Sequence, residues 1–261
     1  MPTSKTRNIR PTSGPPVTVV VPCYNEEAGL PMLLERLGHL QDGPMRGWEV
    51  LFVDDGSSDR TFAALLSASR SRPWMTVLRH ATNMGLGSSL RTGFANSSAP
   101  IICSIDSDCT LAPERLPDLV GLVEAGADIA TASAWHPESI KAEGNFIRIS
   151  LSRAVSGLYK LLIGQDIHTF TCLFRAYRRE RLARIRFWSH GFASVAEIML
   201  RGVLAGYRIV ELPMQLGKRR YGDSKLKVGD AIAAHLGLLT LTASLVVMHR
   251  GRRWLPRREA A

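Results

Sequence analysis

The sequence predicts an α/β fold built on a doubly wound parallel sheet. Three observations carry this. Short apolar or β-branched runs alternate with helical stretches from Val17 onward, joined by short loops, as in successive βαβ units. The run Ile101-Ile102-Cys103-Ser104-Ile105 is apolar on both faces, as buried parallel strands are. Three of the runs end in polar or acidic clusters, and ligands bind at the carboxyl ends of such strands.

The elements follow in order. Val17-Thr18-Val19-Val20-Val21 reads as a strand stopped by Pro22, and Asn25 is placed to cap a helix running to about Leu40. Trp48-Glu49-Val50-Leu51-Phe52-Val53 is a second strand, ending in Asp54-Asp55-Gly56-Ser57. A helix over 61–70 and a strand over 75–78 come next. Asn83-Met84-Gly85-Leu86-Gly87 opens another helix. It lacks both G-x-G-x-x-G and the Walker lysine, so a dinucleotide or P-loop site is rejected and the glycines are read as turn residues. The strand 101–105 then meets Asp106-Ser107-Asp108, where two carboxylates one residue apart repel unless a cation joins them; Mg²⁺ or Mn²⁺ holding a diphosphate would do so. Further on, a strand is expected over 127–133, a helix over 146–163, a strand with a basic end over 166–179, a helix over 192–205 containing Glu197, and a strand over 209–213. The segment 218–225 is a basic, glycine-containing loop suited to phosphate oxygens.

The chain has 261 residues, 45% hydrophobic and 21% charged, which allows one large domain with an appendage. The net charge of +10 points to anionic partners. Nucleic acid is not expected among them, since no nucleic-acid motif is present and the basic residues cluster near the apolar helices and the phosphate loop. Cysteines 23, 103, 109 and 172 have no C-x-x-C spacing and read as reduced, in a cytosolic setting. Residues 1–16 read as a disordered tail without the apolar core of a signal peptide. Residues 231–248 carry His235 as their one ionisable side chain; at about 1.5 Å per residue they reach roughly 27 Å, a little short of a hydrocarbon core. Arginines at 250, 252, 253, 257 and 258 follow, against the positive-inside tendency for a single span, so a helix lying on the membrane or packing on the domain is expected.

Taken together and in order, six motifs resemble those of family 2 glycosyltransferases of GT-A fold: Pro22-Cys23-Tyr24-Asn25-Glu26, Val53-Asp54-Asp55-Gly56-Ser57, Asn83-Met84-Gly85-Leu86-Gly87, Asp106-Ser107-Asp108, Phe174-Arg175-Ala176-Tyr177-Arg178-Arg179 and Arg219-Arg220-Tyr221-Gly222-Asp223-Ser224-Lys225. Within the family the chain looks like dolichyl-phosphate mannosyltransferase and the bacterial polyprenyl-phosphate glycosyltransferases, over about residues 17–241.

The resemblance implies a metal-dependent, inverting transferase at the cytoplasmic membrane face, moving a sugar from GDP-mannose or a UDP-hexose to an isoprenoid lipid phosphate. It implies that Pro22, Tyr24, Glu26, Val53 and Asp55 hold base and ribose, that Asp106, Ser107 and Asp108 form the donor and metal motif, and that Arg219 and Lys225 reach the phosphates. Arg148 and Ser152 would meet the lipid phosphate. Glu197 stands where hydroxyl-acceptor relatives carry a catalytic acid residue, and an orienting role is the alternative. Two departures stand out: Thr110 replaces a frequent glutamine, implying water in the metal shell, and Ala134 replaces a frequent arginine. The expected organisation is a tail over 1–16, a catalytic domain over 17–226, and a membrane-associated helix with a basic tail over 227–261. A hydroxyl acceptor, or a non-catalytic nucleotide-sugar-binding membrane protein, are the alternatives, and the oligomeric state is left open.

Overall fold

The computed structural model describes residues 16–139, 142–143, 146–221 and 228–252. Strands β1 (Val17–Cys23), β2 (Glu49–Asp54), β3 (Met75–Arg79) and β4 (Ile101–Ser104) alternate with helices α1 (Leu30–Gln41), α2 (Thr61–Ser69) and α3 (Leu86–Ala95). Helix α4 (Leu116–Glu124) leads to β5 (Ile129–Ser133), and α5 (Phe146–Ile163) leads towards β6 (Arg175–Arg178). A short α6 (Arg179–Leu182), then α7 (Ala193–Leu204), β7 (Ile209–Pro213) and α8 (Val228–Arg252), complete the chain. The strands form one sheet in the order β3-β2-β1-β4-β6-β5-β7.

Both faces of the sheet are covered, and the two-residue period of each strand decides what goes where. Val19, Val21, Val50, Phe52 and Cys103 pack with α1 and α4 through Leu33, Leu37 and Leu119. Their neighbours Val20, Leu51, Val53 and Ile102 pack the opposite way with Leu90 of α3 and Ile198 of α7. A third apolar layer joins α5, α7 and α8 through Val155, Tyr159, Met199 and Leu238. The central strands β1, β2 and β4 are largely apolar because both of their faces are covered.

The sheet is mixed rather than parallel. β6 runs antiparallel to both β4 and β5. The chain reaches β6 along the carboxyl edge of β4, where Arg175 opposes Ser104, so β6 must run back through the sheet. It is also shorter than the strand expected over 166–179. The preceding amides are taken by side chains instead of a ladder: His168 and Thr169 N–H donate to Glu211, and Phe170 N–H donates to Ser156 Oγ.

Asn25 does not cap α1, whose N-terminal flank is Gly29. Its side-chain oxygen instead accepts the N–H groups of Ser58 (2.9 Å) and Asp59 (3.4 Å), tying the loop after β1 to the loop after β2. α8 packs against α5 and α7, with His235, Leu238 and Thr242 buried and Ile232, Leu236 and Leu241 exposed. Among the described residues no helix is long and apolar enough to cross a membrane. In α8, Asp230, His235, Thr240, Thr242 and Ser244 break up the apolar stretch.

Candidate active site at the carboxyl edge of the sheet

The ends of β1, β2 and β4 open into one cavity of about 550 Å³, a size usual for small-ligand sites. Pro22, Cys23, Tyr24 and Glu26 line it after β1, Asp55 after β2, and Asp106, Ser107 and Asp108 after β4. Leu173, the start of α7 at Phe192 and Ala193, and Asp230 and Ala234 of α8 close the remaining walls. Arg219 reaches in from the basic loop.

Arg219 bridges two of these loops. It donates to both oxygens of Glu26, at 2.6 and 2.5 Å, and lies 3.5 Å from Asp108 Oδ2. The guanidinium is thus held between the loops after β1 and β4. Asp108 Oδ1 accepts the N–H (3.0 Å) and hydroxyl (2.9 Å) of Thr110, which leaves Oδ2 towards the cavity. Asp106 accepts no hydrogen bond among the described residues, and burial, then the charge of Asp108, push its carboxyl up to about 7. Arg219 and Arg175 pull it back down, and Glu26 adds to the rise.

This charge pattern fits a cation. Among the described lining residues, five carboxylates (Glu26, Asp55, Asp106, Asp108 and Asp230) face one guanidinium. Asp106 and Asp108 would hold a hard divalent ion, which favours carboxylate oxygens. Among the described residues no cluster of three His, Cys, Asp or Glu side chains is arranged to hold a metal, so water and donor oxygens would complete the shell.

The loop before α3 is shaped by its contacts. Gly85 has φ +86°, and a Cβ there would lie 2.5 Å from His190 O; at Gly87 it would lie 2.0 Å from Ser189 O. Only glycine permits this approach. Gly85 N–H donates to Asp55 and Gly87 N–H to His190 O, so both amides are occupied and do not form a phosphate cradle.

Three expected residues lie elsewhere. Val53 is fully buried among Leu51, Leu90 and Val20, because the strand period turns its side chain to the α3 layer. Glu197 is buried beneath the turn before α7, accepting the N–H groups of Trp188 (3.1 Å) and Ser189 (2.9 Å) and the Arg201 guanidinium (2.8 Å). Burial pushes its pKa up, but the bonds from Ser189, Arg201 and Trp188 outweigh this and hold it below the usual carboxylate range. Ser152, on α5, shares a hydrogen bond of 2.6 Å with Thr171. Lys225 and the Arg148 side chain lie outside the described residues. Sequence reading had placed Asn83 in a matching motif without giving it a role and had not singled out Phe192, Asp230 or His80; Asn83, Phe192 and Asp230 line the cavity. His80 is bonded to Asp55.

The chain and its fold have counterparts among known proteins. The family model for Glycosyl transferase family 2 matches residues 18–186. The chain belongs to this family.

This family 2 glycosyltransferase is 32% identical over 225 residues to polyprenol monophosphomannose synthase of Mycolicibacterium smegmatis, covering 84% of this chain and 83% of that one. It is 28% identical to an undecaprenyl-phosphate 4-deoxy-4-formamido-L-arabinose transferase of Yersinia enterocolitica, covering 86% of this chain but 66% of that protein, just under two thirds. Glucosyl-3-phosphoglycerate synthase from Mycobacterium tuberculosis, solved with Mn²⁺ and UDP-glucose, superposes with a TM-score of 0.66 at 20% identity, over 89% of this chain and 79% of that one. At that identity the likeness is one of fold.

The glycosyltransferase site carries a stability penalty with a definite sign. The folded-state value of Asp106, about 7, lies above the roughly 3.9 of an unfolded aspartate. The native state therefore binds the proton more tightly, and stability falls as pH rises between those values, with the full penalty above the upper one. Asp106→Asn removes the charge and should raise Tm in chelator at about pH 8, with the gain shrinking towards about pH 4. One pKa unit is about 1.4 kcal/mol, and each kcal/mol is worth about 2 to 4 °C in a chain of this size. Differential scanning fluorimetry across pH checks it; a destabilised variant, or a gain independent of pH, would count against the buried-acid account.

Proposed function

We propose that this glycosyltransferase moves a sugar from a nucleotide diphosphosugar to a polyprenyl phosphate at a membrane surface, with inversion. The observation that carries the reading is that one cavity is lined both by the Asp106–Asp108 pair with Arg219 and by Asp230 and Ala234 of α8. The donor diphosphate belongs at the charged wall. The lipid belongs beside the helices, where Phe146, Leu158 and Leu161 of α5 and Ile232, Leu236 and Leu241 of α8 are exposed. The similarity to the mycobacterial polyprenol monophosphomannose synthase supports the acceptor class.

The chain's own groups have separable tasks. Pro22, Tyr24, Glu26 and Asp55 receive the nucleoside end. Arg219 exchanges its contacts with Glu26 and Asp108 for donor phosphate oxygens, stabilising charge that grows on the leaving group. Lys225 adds to this from the same loop. Asp106 and Asp108 would hold a divalent cation, Mg²⁺ or Mn²⁺, which would supply Lewis-acid neutralisation of that leaving charge. Arg148 and Ser152 meet the acceptor phosphate from α5.

No general base is required. A phosphate monoester has a second pKa near about 6 and attacks as the anion it already is. The placement of Glu197 agrees with this: its carboxylate holds the 188–189 turn and Arg201, and thereby the start of α7 that lines the cavity. It is a positioning residue here.

The test is transfer from a radiolabelled nucleotide sugar with polyprenyl phosphate or a hydroxyl acceptor, for wild type and Glu197→Gln. Label entering the lipid phase only with polyprenyl phosphate, and Glu197→Gln keeping substantial turnover, is the expected result. Transfer to a hydroxyl acceptor that collapses in Glu197→Gln would replace this reading.

A further inference from the structure

Asp55 is 3% exposed, yet its carboxylate lines the cavity at the end where the loops after β1 and β2 meet. Its hydrogen bonds can be counted. Oδ1 accepts His80 Nδ1 at 2.6 Å and the N–H of Met84 at 3.0 Å. Oδ2 accepts the N–H of Gly85 at 2.8 Å. A carboxylate offers about four acceptor positions, two on each oxygen. Oδ1 is therefore full, and Oδ2 has room for one more donor.

His80 is what fills Oδ1. A carboxylate only accepts, so Nδ1 carries the ring proton; Nε2, at 2.9 Å from Thr92 Oγ1 of α3, then accepts that hydroxyl's hydrogen when the ring is neutral. The ring is held from both sides, and with it the orientation of Asp55. Beside it, Asn83 lines the same cavity, and among the described residues its side-chain amide makes no hydrogen bond. The pair offers a ligand one acceptor position and one amide donor.

We infer that His80 is a positioning residue that commits Asp55 to a single ligand N–H, and that the donor nucleotide therefore carries uracil rather than guanine. Guanine presents two adjacent donors, its ring N–H and its amino group, which a carboxylate receives on both oxygens; Oδ1 cannot take the second. Uracil presents one ring N–H flanked by carbonyls, which matches Oδ2 with the Asn83 amide beside it. A donor left unpaired in a nearly buried site loses the cost of its desolvation, which is how such sites reject the wrong base.

The inference rests on reading the cavity as a nucleotide-sugar site, and the experiment separates the two. Isothermal titration of the full-length protein with UDP, GDP, CDP and ADP in Mn²⁺ should show UDP binding at least about tenfold tighter than GDP, the effect of one hydrogen bond to a charged group, with neither CDP nor ADP matching UDP. His80→Leu should weaken UDP by about tenfold, while His80→Asn, whose amide can replace Nδ1–H, keeps the preference. In turnover assays with the UDP-sugar, His80→Leu should raise KM with kcat little changed, because the base is remote from the reacting carbon. If His80→Leu does not fold, the wild-type panel decides alone. GDP, CDP or ADP binding as tightly as UDP overturns the uracil assignment and leaves the glycosyl-transfer reading standing. Absence of binding to every nucleotide overturns both.

Discussion

Asn in place of Asp108 is expected to lower sugar transfer by roughly 10²- to 10³-fold, the scale seen when one group facing developing charge is removed. The change is nearly isosteric. Asp108 Oδ1 accepts the Thr110 N–H and hydroxyl, and an asparagine oxygen can do the same, so the loop after β4 should keep its shape. What is lost is the charge on the oxygen that faces Arg219 and the cavity. Folded protein whose transfer of radiolabelled sugar into lipid falls by that factor is the predicted outcome. Undiminished transfer would remove the proposed metal site.

The second large effect is on stability. Arg175 is fully buried in β6, between β4 and β5, and no carboxylate lies within ion-pair distance of it among the described residues. Its guanidinium is satisfied by dipoles alone: Val195 O at 2.6 Å, Phe170 O at 2.6 Å and Thr131 Oγ1 at 3.2 Å. These partners come from α7, the loop before β6, and β5, so one side chain ties together the elements behind the cavity. Arg175→Met fills much of the volume but strands two carbonyls and a hydroxyl. It should cost about 2 to 5 kcal/mol, at about 1 to 3 kcal/mol for each buried acceptor left without its donor. Arg175→Lys, which keeps the charge without the planar fork, should cost less. Urea denaturation measures both; a Met variant within about 1 kcal/mol of wild type would show that the network is not what holds these elements.

The strand ends and their acids could be read from the sequence because the information is local. Val19, Phe52 and Cys103 sit in uninterrupted apolar runs, and Asp55, Asp106 and Asp108 follow where those runs stop. Other features depend on contacts far apart in the chain. Arg219 meets Glu26 across 193 positions, and His80 meets Asp55 only because β2 and β3 pair in a particular register. The reversal of β6 follows from the chain's route along the sheet edge, which no periodicity reports. The strand period sends the Val53 side chain away from the cavity while Asp55 turns in, a difference that reading the motif as a unit does not report. Glu197 was placed on the correct helix, but its partners at Trp188 and Ser189 lie in a turn whose path only the structure supplies. The glycines at 85 and 87 were read as turn residues; the structure adds the close approach of residues 189–190 that makes them necessary.

The most direct measurement is the affinity for a nucleoside diphosphate with and without Mn²⁺, by calorimetry, in wild type and Asp108→Asn. If the acids after β4 hold a cation that carries the donor's diphosphate, Mn²⁺ tightens binding by at least about tenfold in wild type and has no effect in the variant. Wild-type binding that is indifferent to Mn²⁺, or an Asp108→Asn protein that responds to it equally, would contradict the account.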